Sequence, residues 1–414
     1  MSCRFGSRYL AGRQVYQDKG AGYVEKWVLE FAASKILARD PGSPSQLNTD
    51  QKLACLAQRL PLEFMSTNHT AAERTQIENH MRVCISVDNG FTTMKSLNPS
   101  EPLLSDAASN IMNSHEFSFD ATASLKEVLL GYSIHAGDRG ELIGMLLLTL
   151  ARDQVISQEL DNCHRGFFNV VDFLKHLFTT GASQTPNIDD ILKATPSVFQ
   201  NEAQKTKQLR NAFANIYLHF NHFVKRGAQG HLDCHLRAGF FARNAAVMCA
   251  NSQLGIDCGL PINWGTQVIR TSTAFILFQF KNDDRYSATI ESHLFNMMDP
   301  VALGIITSGE TLSVPIIRIV FALAGRTPAL RYVQEQREGK FTAYDIWASG
   351  LTGRVFSIIG EHIENWQALL DASHGWETIY RSLDKATVEI KKTMTPMAGR
   401  EDVFWQWLEP GTAG

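Results

Sequence analysis

Two short apolar runs set the limits on this fold. Ala245–Ala250 (AAVMCA) and Phe275–Phe280 (FILFQF) are each bounded by turn formers. Such runs read as strands buried on both faces. Pro315–Leu323 (PIIRIVFAL) is a third candidate that also admits a helical reading. A helical stretch, Ala288–Met298, separates the last two. The order helix, strands, helix, strand predicts an α/β core with a mixed sheet of four or more strands between residues 240 and 325.

Elsewhere the pattern is mostly helical. Residues 22–38 place Val24, Trp27, Val28, Phe31 and Ile36 at helical spacing, and Asp50–Leu60 follows as a second helix. Thr70-Ala-Ala-Glu73 matches a capping box, with Ile77, Met81 and Cys84 then expected to face inward. Helical patterns run over 124–132, 139–156 and 167–178, and Lys205–Val224 reads as one long amphipathic stretch. Glu335–Lys340 reads as a linker before helices at 355–371 and 376–392. The expected organisation is a helical region over 1–120 and an α/β core over 121–325 with a helical insertion at about 157–204. A helical extension over 326–414 completes it.

Composition narrows the function classes. The chain is 44% hydrophobic and 20% charged, which fits a folded protein with a core rather than a disordered one. Its net charge of −3 gives no global positive field of the kind that marks many nucleic-acid binders. Locally the balance differs: residues 203–243 hold seven basic side chains and one acid, Asp233. Lys225, Arg226, Arg237 and Arg243 in that stretch are candidates to track a phosphate backbone, with a solvated helix face as the alternative. His219 and His222, three apart on the expected helix, are further candidates to face a phosphate.

Seven cysteines occur singly with no C-x-x-C pair, a pattern of reduced thiols expected inside the cell, in nucleus or cytoplasm. His231-x-x-Cys234-His235 lacks a second half with ligand spacing, so loop residues are favoured over zinc. The N-terminal residues show no apolar signal-peptide region, and no apolar run approaches the roughly 20 residues of a membrane span. A P-loop, a G-x-S-x-G and a dinucleotide fingerprint are all missing from the sequence.

The chemistry concentrates in Gly255-Ile-Asp257 and, 22 residues after that aspartate, Gln279-Phe-Lys281. Residues i and i+2 of a strand share a face, so Gln279 and Lys281 project together while Phe278 and Phe280 take the other side. A turn around Asn263–Ser272 would pair this strand with the one that begins near Asp257. The result is a carboxylate, an amide oxygen and an ammonium near one point. Such a set suits metal-assisted phosphodiester hydrolysis. Mg²⁺, or Mn²⁺, takes hard oxygen ligands and lowers the pKa of a bound water, and a lysine serves the water or the phosphate.

Asp257…Gln279-x-Lys281 resembles the PD-(D/E)XK, or restriction-endonuclease-like, nucleases, in particular the Mrr-like branch with its Q-x-K strand end. More of the chain, from about residue 20 to 390, resembles basidiomycete families allied to Crinkler and retrotransposon-hot-spot proteins. The stretches that carry this are Gly137-Asp-Arg-Gly-Glu141-Leu, Leu218-His-Phe-Asn-His-Phe223, Arg243–Ala250 and Phe278–Asp283. The resemblance implies a restriction-endonuclease-like mixed-sheet core embedded in a mostly helical protein, acting as a nuclease on nucleic acid, DNA first. It implies metal ligation by Asp257 and Gln279, completed by a helix glutamate for which Glu141 is the best match. Crinkler-type relatives often couple to an ATPase module, which this chain would need in trans or not at all. Gln279 stands where the wider superfamily has an acid. A catalytically inactive module that binds nucleic acid or a protein therefore remains the rival.

Overall fold

The computed structural model describes residues 21–40, 46–64, 70–87, 89–90, 94–131, 139–158, 166–180, 187–226, 232–250, 253–306, 312–360 and 363–371. The chain divides into two units, Met1–Leu370 and Asp371–Gly414, and the elements below belong to the first. The helix expected at 376–392 lies outside the described residues.

The apolar run at 275–280 forms the centre of strand β9, Thr273–Lys281. Phe275, Ile276, Leu277 and Phe278 are fully buried, each contributing roughly 1.5–3 kcal/mol relative to exposure. β9 pairs antiparallel with β8, Cys258–Trp264, in the register Cys258↔Phe278 to Asn263↔Thr273, so the expected hairpin is present. On its other side β9 runs parallel to β10, Ile316–Ala322, which resolves the open reading of 315–323 as a strand. β10 in turn runs parallel to β13, Ala343–Ser349. β7, Ala245–Met248, pairs antiparallel with the start of β8 and parallel with β6, His222–Lys225. β5, Ile216–Leu218, pairs with the end of β8, and β3, Phe168–Asn169, pairs with β5. β4 (Val198–Phe199), β11 (Ala329–Tyr332) and β12 (Arg337–Glu338) complete a mixed sheet of 11 strands among the described residues. The fold is α/β, as expected.

Helices cover this sheet. α1 (Ala21–Leu37), α2 (Thr49–Arg59), α3 (Thr70–Asn79), α4 (Pro102–Asn113), α5 (Ala121–Gly131), α6 (Arg139–Gln158) and α7 (Val170–Leu177) precede most strands. A two-stranded ribbon, β1 (Val83–Val87) with β2 (Met94–Leu97), stands between α3 and α4. α6 lies on the Phe280 side, where Gly144 leaves no room for a Cβ: one would come within 2.4 Å of Phe280 Cε1. α12, Ser292–Met297, packs on the opposite side, where the Phe295 carbonyl accepts from Arg318 Nη1 at 2.9 Å. Arg318 is fully buried and held by Asp345 at 2.6 Å on each of two nitrogens, with Ser197 Oγ donating to the same carboxylate at 2.7 Å.

The helical block is tied to the sheet by a second buried charge group. Arg59 of α2 meets Asp153 of α6 through two hydrogen bonds, 2.5 and 2.8 Å, while its Nε donates to the Asn221 carbonyl at 3.1 Å.

Several expectations fail. Lys205–Val224 is not one helix: it starts at the last residue of α9 (Glu202–Lys205) and holds α10 (Leu209–Ala212), then β5 and most of β6. α8 is a single turn at Ile188–Ile191. Asn201 caps the start of the short turn Glu202–Lys205, and backbone bonds from Leu209 to Ala194 and Arg210 to Leu192 then take the place of helical ones. The stretch 326–349, read as linker and helical extension, carries β11, β12 and β13 of the sheet. Thr70 opens α3 as its first helical residue, and Glu73 is buried against Ser96 Oγ instead of capping by the expected box. A capping box does occur one helix earlier, between Asn48 and Gln51. Cys84 lies on β1 and is exposed. Helix 288–298 shortens to α12, and a helix opens at 363 after a 3₁₀ turn at Ser357–Ile359.

Candidate active site

β6, β7, β9, β10 and β13 run in one direction, and their carboxyl ends lie at one edge with the start of β8. Open α/β sheets bind ligands at such edges. Gln279, Lys281, Asp257 and Cys249 all sit there. The positive φ of Gly255 (86°) and its contact with the Met297 carbonyl bring the chain sharply into Asp257.

Asp257 precedes β8 and shares the partner of Cys258: its amide donates to the Phe278 carbonyl at 2.9 Å, and its carbonyl accepts from the Cys249 amide at 2.8 Å. Its carboxylate Oδ2 accepts from the Phe280 amide at 2.5 Å. Both neighbours of Gln279 are thereby bound to Asp257. Burial pushes the Asp257 carboxyl above its usual range, against the opposing pull of the Phe280 amide and the Lys281 ammonium. Gln279 is 3% exposed, and its Oε1 is buried without a hydrogen-bond partner. A buried acceptor of this kind costs about 1–3 kcal/mol unless something meets it. Lys281 is half-buried with Nζ 6.0 Å from the centre of the Tyr286 ring. Asp257 therefore lies beside the backbone of Gln279 and within electrostatic reach of Lys281.

Glu141 lies in the first turn of α6, and Gly140 beside it closes on Asn282, the residue after β9. Glu141 acts electrostatically on Cys249 and Cys258, which places it at this edge of the sheet. Burial pushes both thiols up, Cys249 to about 12, as inert thiols. Among the described residues, no three His, Cys, Asp or Glu side chains gather as a metal-holding group.

The expected phosphate-tracking residues scatter. Lys225 and Arg226 reach the same edge, but Lys225 Nζ is paired with Glu63 at 2.9 Å. Arg237 is fully buried in α11 (Cys234–Ala242) and donates to the Ile305 carbonyl, so it serves the core and not a surface. Arg243, His219 and His222 lie at the other ends of β6 and β7, roughly 10 Å away at 3.3 Å per residue. His219 stacks on Phe167 at 4.3 Å and shares a hydrogen bond with the Phe241 carbonyl; burial lowers its pKa. His222 is 2% exposed and belongs to a separate side-chain relay that the sequence pattern did not reveal. Cys234 and His235 open α11 under an Asp233 cap, while His231 lies outside the described residues.

A family model described as a domain of unknown function, DUF8736, matches residues 46–297. The chain belongs to this family. The matched segment contains Glu141, Asp257, Gln279 and Lys281 together with the relay around His222. Comparisons with curated proteins and with solved structures each returned no match. No helix among the described residues is long and apolar enough to cross a membrane.

Proposed function

We propose that this DUF8736 protein is a metal-dependent nuclease that hydrolyses phosphodiester bonds at the Asp257–Gln279–Lys281 edge. The observation that carries the reading is the buried, partnerless Gln279 Oε1 next to Asp257, whose amide and carboxylate bind the two residues that flank Gln279. An orphaned hard-oxygen acceptor next to a carboxylate fits Mg²⁺ or Mn²⁺. Asp257 and Gln279 would hold the ion; Glu141 belongs to α6 on the Phe280 side of the sheet, opposite the face to which Gln279 projects, and reaches such an ion only around the strand ends. Such an ion, when bound, polarises the phosphate and lowers the pKa of a water. Lys281 neutralises charge that develops on the phosphate and orients the attacking water.

The element order supports a restriction-endonuclease-like core: α6, then β7, β8 and β9 antiparallel in sequence, then α12 and β10. A long insertion separates α6 from β7. Nucleic acid, DNA in the first instance, is the proposed substrate, and the protein is proposed to act inside the cell, with any ATPase supplied in trans.

The rival reading has its own observations. Asp257 resists ionisation, the expected cationic track is dispersed, and the metal shell is short of acids. These favour an inactive module that binds nucleic acid or a protein partner. Labelled DNA and RNA incubated with the full chain and Mg²⁺ or Mn²⁺ decide between them. Cleavage lost in both Asp257→Ala and Lys281→Ala upholds the nuclease. Cleavage by Lys281→Ala at the wild-type rate rejects the mechanism, and binding without cleavage under either metal supports the rival.

A further inference from the structure

A second constellation lies away from that edge, where the β2–α4 connection meets the start of β6. Ser100 Oγ is 2.9 Å from His222 Nε2. His222 Nδ1 is 2.5 Å from Asn221 Oδ1. Asn221 Nδ2 donates to Asp106 Oδ1 at 2.7 Å and to the Pro102 carbonyl at 3.0 Å. The amide orientation follows from these acceptors, since only Nδ2 can donate to them, and Oδ1 is left facing the imidazole. Nδ1 therefore carries the histidine proton. Nε2 keeps its lone pair and accepts the Ser100 hydroxyl. That tautomer, with a hydroxyl on one nitrogen and an orienting oxygen on the other, is what a general base for a serine nucleophile requires.

Arg243 completes the group. It is exposed, and its Nη2 donates to the Ser100 carbonyl at 2.5 Å and lies 3.4 Å from Ser100 Oγ. Ser100 is itself half-buried and lies beside the exposed Arg243. We propose that Ser100, His222 and Asn221 act as nucleophile, base and orienting residue in the hydrolysis of carboxylic esters that bear an anionic group, held by Arg243.

The chemistry balances with water as co-reactant. Ser100 Oγ bonds to the carbonyl carbon as its proton passes to His222 Nε2, and the carbonyl π-pair moves to oxygen. On collapse the bond to the alkoxide breaks, and the alkoxide leaves with the proton from Nε2. Water then attacks the acyl-serine with Nε2 as base, which releases the carboxylic acid and restores the hydroxyl. His222 faces Arg243 from the end of α11, Arg59 from α2, the Asn244 carbonyl, Asn221 and Ser100. Burial first, then Arg243 and Arg59, pushes its pKa down to about 4, so the free base is present throughout the neutral range.

The test uses the full chain with a fluorophosphonate probe and two esters, 4-nitrophenyl acetate and 4-nitrophenyl hemisuccinate. The expected result is phosphonylation at Ser100 by peptide mass spectrometry, and hydrolysis lost in Ser100→Ala and His222→Gln. Arg243→Ala should lower the hemisuccinate rate about tenfold relative to acetate, in line with loss of a charge-assisted contact. Asn221→Asp should move the acid limb of the pH–rate profile upward, which a purely structural role for Asn221 would not do. Wild-type protein left unlabelled at Ser100 overturns the proposal without recourse to any variant. So does hydrolysis that survives Ser100→Ala.

Discussion

Arg59 and Asp153, 94 positions apart on two helices, form a two-pronged ion pair with both side chains almost wholly out of solvent. The pair is further met by Arg152 Nη1 at 2.9 Å and Asn113 Nδ2 at 2.9 Å. Truncating one side strands the other charge in the core. Arg59→Ala should destabilise the fold by about 3–5 kcal/mol, measured by urea unfolding. A loss under 1 kcal/mol, the scale of an exposed pair, would show that the group is solvated in solution.

The same cluster sets an acid limit. Burial raises the Asp153 carboxyl, but Arg59, Arg152 and Asn113 outweigh it and hold the group at about 2. The folded value lies below the unfolded one, so the contribution is complete above about pH 4 and is lost as pH falls through about 2. Asp153→Asn should flatten stability against pH in that window.

At the proposed nuclease site, the pH dependence runs the other way. The Asp257 carboxyl sits above the ordinary aspartate range, so cleavage should rise along an acid limb displaced upward from it. Lys281 opposes that displacement. Lys281→Met should move metal binding, read by isothermal titration, to still higher pH. No shift would mean the two groups do not sense each other.

Gly144 is a steric test of how α6 seats on β9. A Cβ there would press into Phe280 at 2.4 Å. Gly144→Ala should cost about 1–3 kcal/mol through overpacking. It should also weaken metal binding, because Glu141 rides on the same helix. Gly255→Ala meets a harder obstacle, since φ is +86° and its Cβ would fall 2.2 Å from the Met297 carbonyl oxygen. It should cost more than Gly144→Ala in thermal melts.

Arg237→Ala should lower stability and leave the salt slope of the proposed nucleic-acid binding unchanged, because its guanidinium is inside the protein. A slope reduced by about 1 would place it on a phosphate after all.

The strands that could be read from the sequence are those whose apolar runs are unbroken. FILFQF and AAVMCA announce themselves because both faces of the sheet are covered. β13 was missed because its sequence, AYDIWAS, carries Asp345, and nothing in the local pattern tells that Arg318 from β10 will neutralise it. The same holds for β5 and β6. His219 and His222 fit a helical face by spacing, yet their partners are Phe241 and Ser100, and Asn221 between them binds Asp106, all from other parts of the chain. Asp257, Gln279 and Lys281 were legible because a single hairpin brings them together. The Ser100 relay was not, since it closes only when residues 122 positions apart meet.

β10 and β13 occupy the middle of the sheet order, yet both follow residue 297, where the match to the family ends. A fragment cut at that boundary would strip Ile276–Lys281 of β9 of their partner strand along one side, all but Lys281 of them buried in the whole chain. A long apolar edge of this kind recruits other chains. Expression of residues 46–297 alone should therefore yield aggregates, and the useful cloning limit lies past Ser349.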